Sequence, residues 1–175
     1  MPDRDPHTDL SLNPYRPEQL TSWEHLAGPS CAELHRYWSD KRGGEEAPAW
    51  ADFVFIELYR VAPCMVVYDV AESGDIGQLR YRFVGTRIVE YRRHRRLPDP
   101  TGRTFAETDR AYDPSPLRAA YAACVASRAP VLTRGAYRTE NAQGLHERLT
   151  VPWLIDGRVA RLTAALDRLP DASVR

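Results

Sequence analysis

The sequence has little of several things, and each scarcity removes a class of function. It has one lysine, Lys41, so its basic groups are otherwise all arginine. It has no net charge, with 24 Lys and Arg set against 24 Asp and Glu. That balance produces no broad field, which argues against nucleic acid as the expected partner. No apolar run approaches the roughly 18 residues that a membrane-spanning helix requires. The opening stretch, Met1-Pro-Asp-Arg-Asp-Pro6, has no apolar core and does not read as a secretory signal. A cytoplasmic protein without a membrane partner is expected. The three cysteines, Cys31, Cys64 and Cys124, are odd in number and far apart, so no metal knuckle or redox pair is indicated. Free buried thiols in a reducing compartment are expected instead.

What is present suits one globular unit. The chain has 175 residues and a 43% hydrophobic share, enough for a single core. Residues 1–29 carry Pro2, Pro6, Pro14, Pro17 and Pro29, and read as an extended or flexible arm. Leu10, Leu12, Tyr15, Leu20, Trp23 and Leu26 leave open a partner-binding role for it. Residues 30–62 read as a helical segment. Ser30 and Glu33 have capping-box spacing, and Leu34, Tyr37 and Trp38 follow at helical spacing until Gly43-Gly44. Trp50 to Val61 is read as a second short helix. Residues 171–175 are a tail.

From residue 63 the pattern changes. Met65 to Val70 is β-branched, and Leu79 to Gly85 alternates, with Leu79, Tyr81 and Phe83 assigned to one buried face. A helical stretch of about forty residues follows. In it Leu117, Ala120, Tyr121, Cys124 and Val125 make an amphipathic stripe. Three more strands close the chain: Val131–Arg138, Leu145–Ile155 and Arg158–Leu169. Asp156-Gly157 signals a two-residue hairpin, and Pro152 signals a bulge or an edge. One hairpin, a helical insertion and a three-stranded meander need no parallel crossover. The expected fold is α+β: a five-stranded antiparallel sheet with helices on one face, over residues 63–170, preceded by the N-terminal helical extension.

This order resembles the PAS domain. Four stretches resemble a bacterial PAS subfamily of small, often stand-alone proteins: Leu34-His-Arg-Tyr-Trp38 with Arg42-Gly-Gly44, Leu79 to Val89, Thr101-Gly-Arg103, and Glu147 to Pro152. The resemblance spans about Ser30 to Pro170. The chain departs from it between Tyr91 and Pro100, which is longer and holds an arginine cluster. It also retains only the last of the prolines usual between Asp52 and Pro63. The resemblance implies a non-catalytic sensory or regulatory module that binds a small ligand or a signalling partner, as a homodimer.

On that reading a mostly apolar pocket is assigned to Tyr81, Phe83, Ile88, Tyr91, Thr133, Leu149, Val151, Leu162 and Ala164. Tight filling by bulky side chains is the alternative. Leu34, Tyr37 and Trp38 are assigned to a dimer seam. Arg92, Arg93, Arg95 and Arg96 are read as a solvated run or as a docking patch for an acidic or phosphate-bearing partner. No cysteine has the Asn-Cys-Arg context of a flavin photosensor. His94, flanked by arginines, does not suit a haem ligand, so flavin and haem are not expected. His146-Glu147 lacks the second histidine of a zinc protease motif, because Thr occupies position 150. Asp109 and Asp113, four apart, are not read as a catalytic pair, because Tyr112 to Pro116 reads better as a helix start with Asp113 or Ser115 as its cap. A small isomerase-like or cyclase-like enzyme, with Glu147 as its acid, is the catalytic alternative; an adaptor with a filled core is the third reading.

Overall fold

The computed structural model describes residues 16–19, 26–94, 96–108, 115–138 and 143–170. Five of its strands are those the alternation predicts: β2 (Met65–Asp69), β3 (Arg80–Val84), β4 (Val131–Arg138), β5 (Gln143–Ile155) and β6 (Arg158–Pro170). The arm supplies another, β1 (Arg16–Gln19), which pairs with Val131 to Arg134. Local pattern could not reveal β1, because its partner lies more than a hundred residues away. The rest of the arm and residues 171–175 lie outside the described residues.

The strands form one sheet in the order β1-β4-β5-β6-β2-β3, and each neighbouring pair is antiparallel. The last strand therefore sits beside the first strand of the early hairpin. Two early and three late strands in one sheet, with the intervening helices on one face, make the α+β fold that the sequence predicts. Asp156 and Gly157 turn the last hairpin with φ of 51° and 72°, the left-handed pair that such a short connection requires. Pro152 lies past the end of the β4–β5 pairing at Thr150, so that side of β5 is an edge there, while on the other side it stands opposite Leu162 of β6. A register shift follows at Trp153/Leu154.

The inner face is covered by α2 (Thr86–His94), α3 (Phe105–Thr108) and α4 (Ser115–Ser127). The expected stripe of α4 is used here, since Leu117, Ala120, Tyr121 and Cys124 are buried against the sheet. The outer face is covered too. There α1 (Pro29–Arg42) packs Leu34, Tyr37 and Trp38 against Leu149, Val151 and Trp153. Each such buried apolar side chain contributes roughly 1.5–3 kcal/mol. The Trp38 indole also donates to the Pro152 carbonyl at 2.7 Å.

Several local expectations are corrected. Trp50 to Val61 is not a helix but part of a chain of 3-10 turns, Trp50–Asp52, Phe55–Leu58 and Ala62–Cys64. A repeat of three eclipses i and i+3, and Trp50 and Phe53 accordingly stack at 4.4 Å. Tyr81 and Phe83 do not share a face. Val67 opposes Phe83 while Tyr68 opposes Tyr81, so Arg82 is an extra residue in a β-bulge. Tyr81 thus enters the inner core, and Phe83 turns to the outer one.

The capping box at Ser30 and Glu33 is not used. Helix α1 starts earlier, with Gly28 as its N-cap, Pro29 in its first turn and no capping side chain of its own. Asp167 of β6 supplies the acceptor, taking the Cys31 N–H at 2.8 Å. A Cβ on Gly28 would overlap the Asp167 carboxylate. Gly28→Ala should therefore cost about 1–3 kcal/mol in urea unfolding, the range for an overpacked site. A cost within a few tenths would show that α1 seats without this close approach.

Candidate functional site

Alternation along β5 and β6 sends neighbouring residues to opposite faces, and two polar clusters result. The inner cluster gathers Tyr68 from β2, Tyr81 from β3, Phe105 from α3, Tyr121 from α4 and Arg148 from β5. The Tyr68 and Tyr121 hydroxyls lie 2.8 Å apart, and Arg148 Nη1 donates to the Tyr121 hydroxyl at 2.6 Å. The rings of Tyr68 and Tyr121 are 5.1 Å apart, and Phe105 meets Tyr121 edge-on at 5.6 Å. Burial, with Tyr121 beside it, pushes the Tyr68 hydroxyl well above the ordinary tyrosine range. It is therefore a neutral hydrogen-bonding group at any physiological pH.

The outer cluster ties down the start of α1. Glu147 has no exposed surface. Its Oε1 accepts from Gly28 N at 2.7 Å and Ala27 N at 3.0 Å. Its Oε2 accepts from Arg134 Nε at 3.0 Å and Nη2 at 2.8 Å. Asp167, also buried, holds Cys31 N. Two carboxylates thus meet the N–H groups and the positive dipole end of one helix. Cys31 lies between them and donates to the Glu147 and Ala165 carbonyls. Burial first, then Asp167 and Glu147, pushes its thiol well above the ordinary range, so it is unreactive while α1 is seated. Cys124 is likewise buried, with a raised pKa.

The pocket candidates divide between the two faces. Tyr81, Ile88, Leu162 and Ala164 are together in the inner core. Thr133 is buried, its hydroxyl donating to the Arg148 carbonyl at 3.4 Å. Tyr91 is half-buried, with its ring 6.1 Å from that of His146 and the Arg168 guanidinium 4.0 Å above it. Leu149, Val151 and Phe83 lie on the outer side and cannot line an inner pocket. For Phe83 the cause is the bulge. For Leu149 and Val151 it is the phase of a strand that is apolar on both sides.

Leu34, Tyr37 and Trp38 are also corrected. Their surfaces are spent on the chain's own sheet, so they cannot form a dimer seam. The arginine run is not uniformly solvated. Arg92 is buried, and its Nε donates to the Pro98 carbonyl at 3.1 Å. Arg93, His94 and Arg96 are exposed. Arg95, Asp109 and Asp113 lie outside the described residues.

Glu147 and His146 are both buried, but they point to opposite faces. Glu147 is under α1, and His146 faces Tyr91 inside. The sequence offered one signal for the anchor: Glu147 is in phase with Leu149 and Val151 on a face otherwise apolar. A buried acid there requires donors. A shallow groove of about 280 Å³ lies elsewhere, at the β5–β6 turn beside Arg128 and Arg158. Among the described residues, no cluster of three or more His, Cys, Asp or Glu is placed to hold a metal ion. Among them too, no helix is long and apolar enough to cross a membrane.

No family model matches the chain, and no curated protein matches it. Among solved structures it is similar to that of an RNA-binding light-oxygen-voltage receptor. The identity is 20% and the TM-score 0.42, over 67% of this chain and 33% of that one. The chain thus spans about a third of the receptor's length.

Removing one partner of a buried ion pair typically costs about 3–5 kcal/mol. Glu147→Ala should lose that much in urea unfolding, with Gly28 and Cys31 amides exchanging faster. A loss below about 1 kcal/mol would mean that water replaces the carboxylate freely. His35 provides a pH test. Burial, with Arg42 nearby, holds its imidazole below the usual histidine range near 6.5. The unfolded chain then binds more protons, so stability is complete above about pH 6.5 and falls as pH drops through it. His35→Gln should flatten that slope in urea midpoints taken between about pH 5 and 8. An unchanged slope would assign it to other groups.

Proposed function

We propose that this chain is a non-catalytic PAS-type regulatory module. A small ligand or a signalling partner acting on the inner cluster is read out at α1 on the opposite face. The observation that carries this reading is the placement of the two clusters on the same strands. Arg148, which holds the Tyr121 hydroxyl, is the chain neighbour of Glu147, which holds the start of α1. Asp167 stands between Leu166, packed on the inner core, and Arg168, stacked on Tyr91. A change of strand position inside alters the anchor outside. The three free cysteines suit a reducing, cytoplasmic setting.

The adaptor reading is favoured by one observation, the ring packing of Tyr68, Phe105 and Tyr121, each almost fully buried. On that reading the partner binds the surface and nothing enters the core. The enzyme reading is weakened by Glu147, whose oxygens are taken up by α1 and Arg134 on the outer face.

A thermal-shift screen of metabolites and nucleotides, paired with alkylation of Cys31, separates these readings. A ligand at 100-fold over its Kd adds about 2.7 kcal/mol. That corresponds to a rise in Tm of roughly 5–10 °C for a chain of this size. The regulatory reading expects such a compound also to change the Cys31 alkylation rate. Stabilisation with Cys31 unaffected contradicts transmission to α1, and consistent absence of stabilisation favours the adaptor.

A further inference from the structure

Among the described residues, the 3-10 segment beside α1 leaves a run of large apolar side chains exposed. Val54, Phe55, Ile56 and Tyr59 are exposed, Ile56 at 73% and Tyr59 at 59%. Scattered apolar side chains on a surface are ordinary, but four within six residues make a contiguous patch. The segment is also tied to α1 and to β3. Val54 N donates to the Tyr37 hydroxyl at 2.6 Å, and Phe55 packs edge-on against Phe83 at 4.8 Å. Phe83 belongs to β3, an end strand of the sheet, so the patch reaches the sheet's edge. Pre-ordered side chains lose little freedom when covered, which lowers the cost of association.

The charges around the patch indicate what covers it. Glu57 and Arg60 lie within the same short stretch and are both exposed. Lys41 approaches Glu57 at 2.9 Å, Arg60 Nε donates to the Tyr59 hydroxyl at 2.8 Å, and Asp52, two residues before Val54, is exposed. An acidic or basic partner would be met by repulsion from half of this rim. A surface carrying both signs is complementary to itself across a two-fold axis, where Glu57 of one copy can oppose Arg60 of the other. The whole chain has a formal net charge of zero, so two copies approach without long-range repulsion.

We infer that the Val54–Tyr59 patch is the seat of a second copy of this chain, in an isologous dimer with Ile56 and Tyr59 at its centre. The inference is independent of what the inner cluster senses. It places the interface on the 3-10 segment and not on the buried face of α1.

The test is the oligomeric state of the full chain by sedimentation velocity from about 1 to 100 µM, a range that covers weak to moderate self-association. Wild type should dimerise within this range. Ile56→Asp should raise the dimer Kd at least about tenfold, as for a central contact, with an unchanged circular dichroism spectrum. Glu57→Arg and Arg60→Glu should each weaken the dimer, and together they should restore it. A wild-type chain monomeric at about 100 µM overturns the inference. So does a dimer that survives Ile56→Asp, which would place the contact elsewhere, or one indifferent to both charge reversals.

Discussion

A carboxylate with none of its surface in water must find its donors within the protein. Glu147 takes them from the backbone at Ala27 and Gly28 and from the Arg134 guanidinium. This single requirement fixes much of the molecule. It ties the start of α1 to the middle of the sheet and brings β4 and β5 together through Arg134. Only glycine fits at position 28, because Asp167 of β6 completes the same cap and occupies the space a Cβ would need. Buried ion pairs seldom add net stability compared with a well-packed apolar substitute. What this one supplies is position: α1 has one seat, and that seat is built from strands that also line the interior.

The chain order of the five strands β2 to β6 and the hairpin at Asp156-Gly157 are legible because each rests on local chemistry; β1 is not. The α4 stripe is legible too, where helical period alone selects Leu117, Tyr121 and Cys124. The faces were less legible. β5 is buried on both sides, so polar and apolar positions no longer separate inside from outside, and Leu149 and Val151 were assigned to the wrong one. In β3 one extra residue, Arg82, reversed every later side chain, and Phe83 crossed to the outer core. No alternating pattern announces a bulge in advance.

The helix start is hidden from the sequence for a related reason. Ser30 and Glu33 have the spacing of a local cap, yet Asp167 and Glu147 satisfy the same amides from strands far along the chain. Likewise, periodicity marked Leu34, Tyr37 and Trp38 as an apolar stripe but could not say what covers it. The sheet covers it. Among the described residues, the exposed large apolar side chains other than Leu145 belong instead to the irregular segment around Ile56, where no simple period draws attention.

In the proposed function the inner cluster and the seat of α1 move as one mechanical unit. Tyr121→Phe removes the hydroxyl shared by Tyr68 and Arg148 without touching the outer face. Native-state hydrogen exchange at the Gly28 and Cys31 amides measures the seat directly. These two amides should exchange faster than the variant's change in global stability explains. Exchange altered only in step with global stability would contradict this coupling.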